Sequence, residues 1–255
     1  MIIDFHTHLG AGLTTKSSNA LYDVVTSDQL VHLLDSAGID MAVTFAPSGG
    51  KDLHDPNYEK ANEYVYQEIS RWPNRLIGYA RINPNLQERA RKEAEKCISE
   101  YRFRGIKFNP SADGFRPSDV SLLQPFMELA YAHSLPVIFH AGYEPVSQPS
   151  LFLPLAENFP NVKIVLAHIA YRMAGDALVV AKRLPNIYVE TSGNWDDLIR
   201  VAIRVLGAHR VLFGSNLPYQ IPEVEKLKIT VLDISQTEQE QVLGHNVAFL
   251  HNLFI

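Results

Sequence analysis

The 255-residue sequence predicts a single α/β domain over residues 1–255, folded as a (β/α)8 TIM barrel. Three observations predict it. Short β-branched apolar runs alternate with amphipathic stretches throughout, as parallel βαβ units require. Eight such repeats in about 250 residues match the usual size of a closed barrel. No glycine-rich phosphate loop follows the first strand, which sets aside an open doubly wound sheet.

Taken in order, the strands are expected at Ile2–His8, Met41–Ala46, Arg75–Ile82, Gly105–Asn109, Pro136–His140, Lys163–His168, Asn186–Thr191 and Arg210–Ser215. Helical spacing of apolar residues is expected over Ser27–Ala37, Asn57–Trp72, Gln87–Tyr101, Ser118–His133, Ser150–Asn158, Arg172–Leu184 and Asp196–Leu206, with a C-terminal pair near Pro222–Leu232 and Thr237–Asn252. Ser27 is the expected cap of the first helix and Gly38 its end, while Pro73-Asn74 stops the second. Pro136, Pro160 and Pro185 punctuate helix-to-strand passages.

Composition narrows the function. The chain is 46% apolar and 20% charged with a formal net charge of −5, so it carries no nucleic-acid footprint. A chain of this length buries roughly 70–75% of its unfolded surface and needs no disulfide or structural metal, so any metal here is expected to be catalytic. The lone Cys97 shares a helical face with Ala90, Ala94 and Ile98 and is expected to be reduced and buried. No signal-peptide pattern or membrane-length apolar run is present, so a cytoplasmic enzyme is expected. Its partner is expected to be a small-molecule substrate, with no nucleic acid and no membrane, and a homodimer is the assembly left open.

The strand ends carry the chemistry. His6 and His8 lie at i and i+2 in an extended run, so both imidazoles face one way and one cation could take both. His140 closes the fifth strand and His168 the sixth, each after an otherwise apolar run. In a barrel these ends form the active-site face. Parity places Asp4 with His6 and His8, Ile138 with His140 and Leu166 with His168 on the inner face, and it turns Glu190 inward with Tyr188 and Ser192. His32, His54, His133, His209, His245 and His251 share no common locus and read as structural.

Taken together, the chain resembles the amidohydrolase superfamily, in the branch that holds aminocarboxymuconate semialdehyde decarboxylase, the resorcylate decarboxylases and the pyrone dicarboxylate lactonase. The resemblance spans nearly the whole length. It rests on Asp4-Phe5-His6-Thr7-His8, Ala61-Asn62-Glu63, Trp72-Pro73-Asn74-Arg75, Asn83-Pro84, Gly105-Ile106-Lys107, His140-Ala141-Gly142, His168, Thr191-Ser192-Gly193, Phe213-Gly214-Ser215-Asn216-Leu217-Pro218 and Val242-Leu243-Gly244-His245-Asn246. It implies one divalent metal, zinc by preference, held by His6, His8 and His140, with His168 beside the metal-bound water or substrate. The family's last ligand is an aspartate after the eighth strand that also accepts a proton. Asn216 stands there in this chain.

A carboxamide offers a metal its carbonyl oxygen but cannot serve as a base near neutral pH. Three neutral imidazoles still suffice to bind zinc and acidify its water. His168 is therefore the first candidate base and Glu190 the second, while Asp4 is expected to orient a histidine or lysine. Lys107, on strand four, is expected to pair with Glu190 or hold a substrate anion; in some amidohydrolases a strand-four lysine is carboxylated and bridges two metals, the lesser alternative here because the branch resembled generally uses one. Arg172, Tyr143 and Trp195 sit on loops after the strands and are candidate substrate contacts.

The leading expectation is a metal-dependent hydrolase of a small amide, lactone or ester, acting through a metal-bound water. The alternatives are a metal-dependent decarboxylase of a small aromatic or unsaturated carboxylic acid, and a degenerate barrel that binds a metal or metabolite without turnover because of Asn216.

Overall fold

The computed structural model describes residues 1–11, 24–47 and 55–253. Eight parallel strands form a ring: β1 (Ile3–His8), β2 (Met41–Phe45), β3 (Leu76–Gly78, continued by Ala80–Arg81), β4 (Ile106–Phe108), β5 (Val137–Phe139), β6 (Ile164–Leu166), β7 (Ile187–Glu190) and β8 (Val211–Leu212). Each pairs with its neighbour in chain order. Within β3, Tyr79 N–H donates to Thr44 C=O and Ala80 N–H to Gly105 C=O, so one strand serves both flanks. From β8 the ring returns to β1 through Phe5 N–H to Phe213 C=O (2.9 Å), Asn216 N–H to His6 C=O (2.7 Å) and His8 N–H to Leu217 C=O (2.9 Å). The expected barrel is the fold of this chain.

The inside of the ring is filled by Ile3, Phe5, Val43, Phe45, Ile77, Tyr79, Ile138, Val165, Tyr188 and Leu212. Val247, Ala248 and Leu250 of the last helix, Asn246–Leu250, join that cluster and close the end where the strands begin, with His251 Nε2 3.0 Å from Tyr79 Oη. A second apolar layer lies between the strands and the outer helices, and Cys97 is buried in it. Among the described residues no helix is long and apolar enough to cross a membrane.

Strand β1 departs from simple alternation. Its register against β2 shifts between Asp4 and Thr7, where three steps on β1 match two on β2. This bulge inserts one residue and moves the parity by one. Ile3 and Phe5 point into the barrel interior below it, and the imidazoles of His6 and His8 still reach the inside above it. Asp4 pins the bulge: its Oδ1 accepts from His6 N–H (3.0 Å) and Ser215 N–H (2.9 Å). The expectation that Asp4 orients a histidine or lysine side chain is thus corrected, because its carboxylate takes backbone donors that the irregular ladder leaves free.

Local expectations change in similar ways. The first helix is capped by Thr26 rather than Ser27: Thr26 is extended (φ −88°, ψ 164°) and exchanges a capping box with Gln29. Ser27 is fully buried. Gly38 does end that helix, in the left-handed conformation at φ 63°. The stretch Ser150–Asn158 begins as a 3-10 turn, Pro149–Phe152, before the α-helix Leu153–Asn158. His54 lies outside the described residues.

Candidate metal centre and active site

His140 leaves β5 two residues after the inward-facing Ile138, as parity requires. His168 arrives differently. Leu166 packs in the outer layer, and the chain then turns through His168 (φ 61°), Ile169 (φ 44°), Ala170 (φ 56°) and Tyr171 (φ 48°), four left-handed residues in a row without a glycine. Each such residue costs roughly 1–2 kcal/mol in a regular left-handed helix. The surroundings hold the turn in place. His168 N–H donates to Glu190 Oε2 (3.1 Å), Asn194 Nδ2 donates to His168 C=O, and the Tyr171 ring stacks on the imidazole at 4.3 Å. Burial of Ile169 and Ala170 adds apolar contact. Strain held at a site by its neighbours marks a functional locus.

The four rings converge. Centroid separations are 5.2 Å for His6–His8, 4.9 Å for His6–His168 and 5.3 Å for His140–His168. Glu190, at the end of β7, organises two of them. Its Oε2 lies 2.8 Å from His6 Nδ1 and accepts from Ser192 Oγ (3.0 Å), while its Oε1 accepts from Ser192 N–H. Ser192 Oγ in turn sits 2.8 Å from His168 Nδ1. An ionised carboxylate can only accept, so Nδ1 of both imidazoles carries the proton and Nε2 keeps its lone pair. Gly214 makes room for this: a Cβ there would collide with the Glu190 carboxylate and lie 2.9 Å from His6 Cβ.

Burial pushes His6 and His168 well below the ordinary histidine value, takes His8 down to about 3 and lowers His140. Neutral imidazoles are the form that binds metal. Burial also raises the Glu190 carboxyl to about 7, against the pull of its hydrogen bonds from Ser192 and His168. Lys107, on β4, is pressed down to about 7 by burial and then by the Arg81 charge. Its Nζ lies 4.9 Å from the Phe45 ring centroid. The expected Lys107–Glu190 pair is corrected, because Glu190 is filled by His6, His168 and Ser192 donors and no ion pair joins it to Lys107 among the described residues.

Asn216, left-handed at φ 58° and nearly buried, brings Oδ1 to 3.1 Å from His8 Nε2. Two atoms bound at about 2.1 Å to one cation stand about 3.0–3.4 Å apart at octahedral or tetrahedral angles, so this contact has the separation of two ligands. His6 Nε2 is buried with no hydrogen-bond partner, a free lone pair at the same locus. His6, His168 and Glu190 also place ligand atoms within 4.8 Å of one another. Glu190, however, accepts four hydrogen bonds through its two oxygens, and its geometry suits orienting His6 better than coordinating. His6, His8, His140 and Asn216 are the candidate donors for a divalent cation, while among the described histidines and carboxylates the three that bring ligand atoms within 4.8 Å of one another are His6, His168 and Glu190.

One group went unread in the sequence. Glu144 reaches back from the loop after β5 so that Oε1 lies 3.6 Å from His140 Nε2. The loop candidates Arg172, Tyr143 and Trp195 are exposed, Trp195 at 81%, and none is hydrogen-bonded to the histidines among the described residues. A surface cavity of about 460 Å³ beside Met41, Arg102 and Arg104 is lined by none of the histidines.

Barrel and imidazole cluster together define a metal-dependent enzyme of the (β/α)8 type. The amidohydrolase family model matches residues 3–249, and the chain belongs to that family. A gamma-resorcylate decarboxylase from Polaromonas sp. is 22% identical over 251 residues, covering 76% of this chain and 77% of that protein. A 2-amino-3-carboxymuconate-6-semialdehyde decarboxylase from Dictyostelium discoideum is 20% identical over 229 residues, 72% of this chain; the match spans only 63% of that protein. The 5-carboxyvanillate decarboxylase of Novosphingobium aromaticivorans, solved with manganese and 4-hydroxy-3-methoxy-5-nitrobenzoic acid, superposes with a TM-score of 0.80 at 17% identity, over 99% of this chain and 96% of that one. These relatives are decarboxylases, and the expectation that this chain is a hydrolase is corrected accordingly.

Proposed function

We propose that the chain is a metal-dependent decarboxylase of a small aromatic or unsaturated carboxylic acid. The observation that carries this reading is the charge pattern of the strand ends. Lys107 is a buried amine pressed down to about 7, with no carboxylate within ion-pair distance among the described residues, and its charge bears on His6, His8, His140 and His168. Such a site has a place for a carboxylate and no base on β8 to activate water. The decarboxylase relatives support the same class.

His6, His8, His140 and Asn216 would hold the cation, manganese or zinc. When bound, it supplies positive charge that polarises the substrate's carboxylate and an adjacent oxygen. Lys107 anchors the carboxylate electrostatically in a water-poor cavity, where such a contact is strongest. Burial holds the resting His168 imidazole neutral with Nδ1–H on Ser192, so Nε2 first takes a proton from solvent or an acidic substrate hydroxyl and then passes it on, the Glu190 charge 4.0 Å from Nδ1 favouring the imidazolium formed in between. The proton goes to the substrate carbon that bears the carboxylate. The carbon–carbon bond then breaks, its electron pair returns to the ring or alkene, and carbon dioxide leaves.

The test is release of carbon dioxide by purified protein loaded with Mn²⁺ or Zn²⁺, offered 2,6-dihydroxybenzoate, 5-carboxyvanillate and unsaturated dicarboxylates. Metal-dependent release from any member supports the reading. A fully loaded protein inert toward the whole panel counts against it and favours the degenerate barrel.

A further inference from the structure

The eighth strand offers a carboxamide where a cation site gains from charge, and a carboxylate stands close by on a different loop. Four residues after His140, the chain folds back so that Glu144 Oε1 lies 3.6 Å from His140 Nε2. The loop is built to hold that carboxylate. Gly142 N–H donates to Ser147 C=O (3.1 Å), Ser147 N–H to Glu144 C=O (2.9 Å) and Ser147 Oγ to Glu144 Oε2 (2.7 Å). Ser147 is fully buried. A Cβ at Gly142 would sit 2.6 Å from Glu144 Oε2 and displace the carboxylate. Oε2 is therefore tied to Ser147, while Oε1 is turned toward the His140 imidazole 3.6 Å away, which holds it electrostatically.

The other carboxylates near the histidines are engaged elsewhere. Glu190 accepts from His6, His168 and Ser192, Asp4 accepts two backbone N–H groups through Oδ1 and keeps a buried Oδ2 without a hydrogen-bond partner, and Asp113 pairs with Arg81 at 2.8 Å. Three neutral imidazoles and a carboxamide leave a bound dication with its full double charge, and manganese favours carboxylate oxygen over an all-neutral set. We propose that Glu144 supplies the negative charge of the cation site, in place of the carboxylate that Asn216 lacks. The inference rests on the cation site of the decarboxylase reading and deepens it, since it makes the β5 loop rather than β8 the source of charge.

Mn²⁺ titration, followed by the electron paramagnetic resonance of the free ion, tests it in four proteins: wild type, Glu144→Gln, Asn216→Asp and the double variant. The readout is affinity, independent of turnover. Glu144→Gln keeps the shape and removes the charge, so Mn²⁺ affinity falls more than tenfold, and Asn216→Asp in that background recovers most of the loss. Gly142→Ala displaces the carboxylate without removing it and lowers affinity in the same direction; its melting curve verifies the fold. Stoichiometric binding by wild type with equal affinity in Glu144→Gln overturns the inference alone. So does a loss that Asn216→Asp fails to recover. A wild type that takes up neither Mn²⁺ nor Zn²⁺ removes the cation site and the inference with it.

Discussion

His6 Nδ1 and Glu190 Oε2 meet at 2.8 Å in full burial, joining the first strand of the barrel to the seventh. The same carboxylate reaches His168 through Ser192, so one acidic group sets the tautomer of two imidazoles 162 positions apart in the chain. Replacing Glu190 with Gln keeps hydrogen-bonding capacity but offers the wrong polarity to one donor. Metal affinity is expected to fall about 10- to 100-fold, the usual cost of losing a partner that orients a ligand. Glu190→Ala strands several buried donors and should destabilise the fold by on the order of 2–4 kcal/mol. Isothermal titration with Mn²⁺ and urea unfolding read the two effects separately.

Removing both imidazoles of β1 tests the centre directly. The His6→Ala, His8→Ala double variant is expected to retain less than a tenth of the wild-type metal content by elemental analysis. Undiminished metal would place the cation elsewhere.

Lys107 gives a pH signature. Its folded pKa, near 7, lies below the unfolded lysine value of about 10.4, so between those limits the unfolded chain binds more protons. Stability attributable to Lys107 therefore rises with pH across that window, with a slope of up to about 1.4 kcal/mol per pH unit. Cys97, whose thiol is raised by burial, opposes this as its unfolded form ionises, so the informative quantity is the difference between two proteins. Metal-free Lys107→Met should lack the rising component and be more stable than wild type at pH 7–8. Denaturant unfolding at pH 7, 8 and 9 measures it; parallel curves for the two proteins would refute the lowered lysine pKa.

Gly214 predicts a packing effect. Gly214→Ala pushes a methyl group into the Glu190 carboxylate and the His6 side chain. Overpacking of this kind costs about 1–3 kcal/mol. A lower melting temperature together with weaker Mn²⁺ binding is expected, because the displaced carboxylate no longer holds the imidazole.

The barrel was legible because alternation of strands and helices is written in apolar spacing that a single sequence displays. His140 was legible for the same reason, as Ile138 and His140 keep one parity into the mouth. His6 and His8 were found although the parity argument below them fails: a bulge leaves no mark in residue types, and Asp4 moved from a histidine partner to a backbone anchor. His168 was found for the wrong geometric reason. Its left-handed turn contains no glycine to announce it and depends on hydrogen bonds from β7, remote in sequence. Glu190 was read as inward-facing, but which donor it would take depended on side chains from three strands. Glu144 was missed because loops carry no periodicity.

The extra residue in β1 sets what lies beneath the two imidazoles, not the way they face. Without that residue the strand would alternate simply from Ile3 to His8 with both imidazoles still inward; what the bulge adds is Phe5 beside Ile3 in the barrel interior, directly beneath the histidines.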